Sequence, residues 1–210
     1  LKKEESGVPL TPTAATRLRR LVLLLPLFVL AALIASWLWL TPSEVSAKLP
    51  DAQLQTLDGA AYSLSPKPGT VRLVELIYTR CPDICPTTTI KMVQLQKRLQ
   101  EAGVMGKGVD FLTITIDPQN DTPDVLRYYA RQLGIAEDGW TILRGDEETI
   151  RTVTSSLGFF AKKTDDGFIS HTSSTYLVDQ NNAVIRKFGM GEDFDPEQIY
   201  QELLNLKKEG

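Results

Sequence analysis

The sequence predicts an α/β domain, a central sheet flanked by helices, preceded by one N-terminal transmembrane helix. Three observations carry this. From residue 51 onward, short apolar runs of strand character alternate with runs of helical periodicity. The helical runs open on capping residues or prolines, and three of them close at a glycine. Ahead of the domain, no charged residue occurs from Leu21 to Ser43.

At ~1.5 Å per residue, the roughly 20 residues from Leu21 to Leu40 span about 30 Å, the thickness of a bilayer's hydrocarbon core. Trp37 and Trp39 stand at one end of this run, and Arg17, Arg19 and Arg20 at the other. The positive-inside rule therefore places the N-terminus in the cytoplasm and everything after Thr41 across the membrane. Pro26 falls within the span, where a kink is tolerated. The competing assignment is a cleaved signal peptide, for which Val45-Ser46-Ala47 is an acceptable site. Its apolar core would exceed the usual ~7–15 residues, which favours a retained anchor. No cysteine stands just after the run to carry a lipid. The expected division is residues 1–20 cytoplasmic, 21–40 anchor, 41–50 tether and 51–210 a single domain.

Within that domain, residues 54–64, broken by Asp58-Gly59, read as a hairpin. Val71 to Tyr78 is an apolar strand leading directly to Cys81. Pro86 onward is helical, with Met92, Leu95 and Leu99 on one face and a stop at Gly103. Val109 to Ile116 is a strand ending at Asp117-Pro118. A helix opens at Asp121-Thr122-Pro123 and ends before Gly134, followed by a short strand over 140–143. Asp146 caps a helix carrying Ile150, Val153 and Leu157, which ends at Gly158. Two strands, 175–178 and 184–188, flank the turn Asp179-Gln180-Asn181-Asn182, and Asp195-Pro196 opens a last helix. This order, β-α-β-α-β-α-β-β-α, is that of thioredoxin-like folds.

The net charge of −3 comes with no basic stripe and no basic-aromatic interleaving, so nucleic acid is not an expected partner. The two cysteines, Cys81 and Cys85, lie four residues apart, and His171 is the single histidine. An exported domain with so few cysteines is not stapled by disulfides, so the pair is placed for chemistry. The pair falls at a strand-to-helix junction, where the unpaired N–H groups of a helix start stabilise a thiolate. That predicts a lowered pKa for Cys85. A thiolate is both a nucleophile and a metal ligand, so a redox pair and a soft-metal site both stay open at this point. Three intervening residues, against two in thioredoxins, widen the loop and allow both sulfurs to face one external atom. His171 precedes the strand over 175–178, in a loop that passes beside the redox pair in thioredoxin-like folds. Two thiolates and an imidazole suit Cu(I), or Cu(II) with a further ligand.

Cys81-Pro82-Asp83-Ile84-Cys85-Pro86 with Lys91, then Asp117-Pro118-Gln119-Asn120-Asp121-Thr122-Pro123, then His171 ahead of Tyr176-Leu177-Val178-Asp179, resemble the Sco/SenC family. These are membrane-anchored, thioredoxin-like copper proteins that help to assemble the copper centre of cytochrome c oxidase. The resemblance implies a copper metallochaperone with Cys81, Cys85 and His171 as ligands, and Asp83 and Asp117 as supporting or partner-facing carboxylates. It implies as partners the copper-bearing oxidase subunit, other copper chaperones or thiol reductants, and a membrane through one helix. The domain would then lie in the periplasm, or in the mitochondrial intermembrane space of a eukaryote. Two departures from the family pattern are Ser170, where an acidic residue commonly precedes the histidine, and Gln119-Asn120 in place of a more charged pair. Met92 fits the helix core; Met190, between two glycines, is an accessory donor candidate.

A rival reading makes Cys81 and Cys85 a redox-active pair of a thiol-disulfide oxidoreductase that reduces the copper-ligating cysteines of the oxidase subunit. That activity has no need of His171. A peroxidase of the same fold would want one activated cysteine in a peroxide pocket, which the paired prolines and lone histidine argue against.

Overall fold

The computed structural model describes residues 47–209. The predicted cytoplasmic segment, the anchor and residues 41–46 of the tether lie outside the described residues. Among the described residues no helix is long and apolar enough to cross a membrane.

Strand β3 (Val71–Ile77) runs through the middle of the sheet and is buried from Arg72 onward, because helices cover both of its faces. On one side it pairs in parallel with β4 (Val109–Thr115), which pairs in parallel with β5 (Trp140–Arg144). On the other side it pairs antiparallel with β8 (Ser174–Val178), and β8 with β9 (Val184–Gly189). The hairpin β1 (Gln53–Thr56) and β2 (Ala61–Ser63) extends the sheet beyond β5, giving the order β2-β1-β5-β4-β3-β8-β9. The expected thioredoxin-like α/β architecture is therefore present. A second, two-stranded sheet, β6 (Ala161–Lys163) with β7 (Ile169–His171), has no counterpart in the sequence reading. Its strands are three residues long and mostly exposed, too short to show an alternation.

Side-chain alternation on β3 sorts the core into two layers. Val74 and Leu76 pack with Ile150, Val153 and Leu157 around helix α3 (Glu147–Ser156). Leu73 faces the opposite way, toward Met92, Leu95 and Leu99 of α1 (Ile84–Glu101) and Ile199 and Leu203 of α4 (Pro196–Glu209). Helix α2 (Pro123–Leu133) adds Leu126 and Tyr129 to a third cluster that contains both cysteines. Packing begins before residue 51: Leu49 is fully buried and its N–H donates to the Asn182 carbonyl.

The helix starts are built as expected, with one exception. Thr122 caps α2 by accepting from the Val125 N–H, and Asp146 caps α3 by accepting from Thr149 at 2.7 Å. Asp195 accepts from the N–H groups of Glu197 and Gln198. Helix α1 starts at Ile84, two residues earlier than expected, and Asp83 at its N-cap position makes no capping bond. Pro86 sits in the first turn, where its missing N–H costs nothing. The first N–H groups of α1 are thus left for another acceptor.

One polar side chain interrupts the face of β3 that carries Leu73 and Ile77. Glu75 is 0 % exposed, accepts from Thr113 Oγ1 at 2.6 Å, and lies 3.3 Å from Thr89 Oγ1. Among the described residues no ion pair reaches it. Burial pushes its pKa up to about 7, against the hydrogen bonds from Thr113 and Thr89. A carboxyl raised in the folded state stabilises fully below its unfolded value and loses that contribution as pH rises through about 7. Raising the pH from 5 to 8 should therefore cost the native protein roughly 2–3 kcal/mol relative to Glu75→Gln. Urea denaturation of both proteins at the two pH values checks this, and a stability gap that does not change with pH contradicts it.

Candidate metal centre

The chain reaches Cys81 through Tyr78-Thr79-Arg80, and a buried carboxylate fixes that passage. Asp121 accepts from the Thr79 N–H and from the hydroxyls of Thr79 and Thr115. The loop after β4 thus holds the loop after β3. At its end Cys81 is 9 % exposed and Cys85 0 %, and both thiols are free. The Cys85 N–H points at Cys81 Sγ, 3.5 Å away. Sulfur thereby occupies the position that a capping oxygen would take on α1.

His171 arrives from the far end of the chain as the last residue of β7. Its Nδ1 lies 2.8 Å from the Thr172 carbonyl oxygen. A carbonyl only accepts, so Nδ1 carries the proton and the neutral ring keeps its lone pair on Nε2. That nitrogen is 3.8 Å from Cys85 Sγ. The ring is stacked on Phe159 at 5.6 Å between centroids and meets the edge of Tyr78 at 5.6 Å. The two sulfurs and one histidine nitrogen all lie within 4.8 Å of one another. The structure therefore brings together Cys81, Cys85 and His171, and the result is a half-buried set of soft donors.

The two thiols are unequal. The hydrogen bond from the Cys85 thiol holds Cys81 far below the usual thiol range; burial opposes this, and His171 and the N–H groups of Asp83 and Cys85 reinforce it. The same hydrogen bond, then burial and the Cys81 charge, push Cys85 up. This corrects the expectation that Cys85 would have the lowered pKa. As the second residue of α1 its side chain is buried in the core, while Cys81 Sγ stands in front of the helix N–H groups. Burial lowers the pKa of His171, but the hydrogen bond to Cys81, the Thr172 carbonyl and the Cys81 charge together outweigh it, and the net direction is up.

The two carboxylates of the sequence reading do not join this set. Asp83 is exposed. Asp117, 4 % exposed, accepts from Asn120 Nδ2 at 2.9 Å and from Arg80 at 3.3 Å, and lies 3.9 Å from Lys163 Nζ on β6. Arg80 also donates to the Gly167 carbonyl at 3.0 Å. Asp117 and Arg80 thus tie the residue before Cys81 to the hairpin that carries His171. Asn120, one of the departures from the family pattern, is the side chain that completes this brace; Ser170 is exposed. Met190 is buried in the same cluster as both cysteines, and Met92 and Met105 lie in the core. Tyr78, Phe159 and Arg80 escaped the sequence reading, since each reads there as an ordinary strand or loop residue.

Because Cys81 is a thiolate well below neutral pH, iodoacetamide should modify it first, at a rate nearly flat from pH 6 to 8. Peptide mapping after brief alkylation measures this; preferential labelling of Cys85 contradicts it.

The SCO1/SenC family profile matches residues 45–208. A SCO1 protein homolog of Bacillus subtilis (strain 168) is 30% identical over 152 residues, covering 71% of this chain and 77% of that protein. The structure superposes on a SCO1/SenC family lipoprotein from Bacillus anthracis with TM-score 0.70 at 25% identity, over 79% of this chain and 98% of the other. It superposes on copper-bound ScoI of Bradyrhizobium japonicum with TM-score 0.63 at 27% identity, over 76% and 99% of the two chains. Fold, three-residue cluster and sequence agree: the chain belongs to the SCO1/SenC family.

Proposed function

We propose that the protein is a copper metallochaperone that binds copper through Cys81, Cys85 and His171 and passes it to the copper centre of cytochrome c oxidase during assembly. The observation that carries this is the Nε2 lone pair of His171 turned toward two sulfurs, with all three donor atoms within 4.8 Å. Two thiolates and one imidazole favour Cu(I), and three protein ligands leave room for an incoming one. Transfer then proceeds by ligand exchange with the thiolates and imidazoles of a recipient subunit. The B. japonicum relative, solved with copper bound, supports the choice of cargo. The apolar run at 21–40 supports tethering at a membrane, with the domain on the periplasmic or intermembrane-space side.

Binding requires the Cys85 thiol and the His171 ring to shed their protons, and both are held at raised pKa. Copper affinity should therefore fall as pH drops through the raised value of His171. Competition of the reduced protein against a Cu(I) chelator between pH 5.5 and 8 reads this dependence. In the same assay Cys81→Ser, Cys85→Ser and His171→Ala should each lower affinity by at least about tenfold. Unchanged affinity in His171→Ala overturns the assignment.

A second reading is favoured by the inequality of the thiols. A thiolate at Cys81 beside a protonated Cys85 is the state of a dithiol reductant: Cys81 attacks a target disulfide, and Cys85 resolves the mixed disulfide. His171 takes no part in that cycle. In cells lacking the chain, His171→Ala should fail to restore oxidase assembly if copper delivery is the essential role. Full restoration by His171→Ala would favour the reductant.

A further inference from the structure

The chain enters the described domain at the end of the sheet opposite the metal centre. The Ala47 carbonyl accepts from the Val184 N–H at 2.8 Å, and Lys48 bridges to Ala183, beside the turn between β8 and β9. Val184 is paired with Val178, and Val178 with Arg72 near the start of β3. Cys81 lies beyond the other end of β3, past Ile77. At ~3.3 Å per residue, the length of β3 puts roughly 20 Å between the two ends.

Around the point of entry the surface is amphipathic. A groove of about 160 Å³ lies between the turn before β3, the start of β9 and the last turns of α4; Val71, Ile185 and Leu206 give it an apolar lining, and Lys207 lines it too. Ile185 is 41 % exposed. Hydrogen bonds join the rim into one surface. The Lys67 N–H donates to the Gln180 carbonyl, the Gly69 N–H to Gln180 Oε1, and the Val71 N–H to the carbonyl of Gly108, beside which the Lys207 ammonium lies. Lys48, Lys67 and Lys107 on this end are exposed. Its carboxylates are engaged within the fold: Asp110 by Lys67, Asp179 by the N–H groups of Asn181 and Ala183, and Asp51 by the Ser65 hydroxyl. Glu101 and Asp138, exposed at the same end, do not line the groove. The metal end has the opposite bias: Asp83, Asp124, Asp165, Asp166 and Glu192 are exposed there, against Arg80, Lys162 and Lys163.

We propose that the lysine-rimmed apolar end rests on the surface of an anionic bilayer, with Ile185 and Leu206 at the acyl boundary, Lys48, Lys107 and Lys207 against lipid phosphates, and the metal centre pointing away. This rests on the membrane-tethering reading above. Two arguments select a bilayer as the occupant of the groove. Residues 41–46 separate the apolar run from the point of entry. Fully extended at ~3.5 Å each they reach on the order of 20 Å, so a bilayer that holds the run is always close to this end. Charge then chooses the face. An anionic surface attracts the lysine end, about fivefold per lysine, and repels the acidic one. Copper is thereby held roughly 20 Å above the headgroups. The recipient this fits carries its ligands at that height, on a domain outside the bilayer.

The experiment uses the full chain in lipid nanodiscs, made either of phosphatidylcholine alone or with phosphatidylglycerol added. Lysines are acetylated briefly, and the extent at each is read by mass spectrometry. Lys48, Lys107 and Lys207 should react at least about fivefold more slowly on the anionic discs than on the neutral ones. Raising the salt to ~0.5 M should remove most of that difference. Lys162 and Lys163 should react equally on both discs, as should Cys81 with iodoacetamide. Ile185→Ser, a change at an exposed position, should lower the protection on anionic discs; if it does not, the groove is not in contact with lipid and the proposal fails. Equal reactivity of the three lysines on the two discs overturns it, and protection that then rises with protein concentration assigns the groove to a second copy of the chain. Protection of Lys162 and Lys163 instead also overturns it. In each of these cases the tethering reading stands as long as the chain stays with the discs through an alkaline carbonate wash. A chain that washes off overturns the tethering reading and this proposal together.

Discussion

The hydrogen bond from His171 Nδ1 to the Thr172 carbonyl is the constraint on which the site depends. It assigns the ring's one proton to the nitrogen that faces away from the sulfurs, and so leaves the other nitrogen able to bind. Phe159 and Tyr78 hold the ring plane from two sides. Without that bond the tautomer would be free to exchange, and a proton on Nε2 would turn the imidazole from a ligand into a donor. The approach of His171 Nε2 to Cys85 Sγ spans 86 positions of sequence, and the direct pairing of β3 with β8 in the central sheet brings the two segments together.

The second constraint is an omission. Helices α2 and α3 are capped by side-chain oxygens, whereas α1 is not, and its first N–H groups face Cys81 instead. A cap worth about 1 kcal/mol elsewhere is forgone where it would compete with sulfur. The outcome is a split pair: an exposed-side thiolate at Cys81 and a buried thiol at Cys85. The proposed metal capture and the rival disulfide exchange would both begin from that state, so the loop alone does not separate the two chemistries. What adds the metal option is the hairpin β6–β7, braced to the cysteine loop through Arg80 and Asp117.

Much of this was legible in the sequence. Strand and helix positions followed from periodicity and punctuation, as with Thr122-Pro123 at the start of α2 and Gly134, in the left-handed region, at its end. The three donor residues followed from their scarcity and from the order of the motifs. Other features were not legible, for physical reasons. Which cysteine is acidic depends on whether the helix starts at Ile84 or Pro86, a difference below what capping signals resolve. The hairpin that carries His171 has strands too short for an alternation and is held by one long-range ion pair, Lys163 with Asp117, and by the Arg80 hydrogen bond to the Gly167 carbonyl. Glu75 reads as a charged residue within an apolar strand, and only the packing of α1 and α2 over it shows a closed hydroxyl network.

The most direct test of the central claim is the ¹⁵N spectrum of the His171 ring in the reduced protein, recorded at a pH where the ring is neutral, before and after one equivalent of Cu(I). The account predicts a protonated Nδ1 in both spectra and an Nε2 resonance that moves from the free lone-pair position to a bound one when copper is added. An Nε2 signal that does not respond to Cu(I), or a proton residing on Nε2 in the metal-free protein, would contradict it.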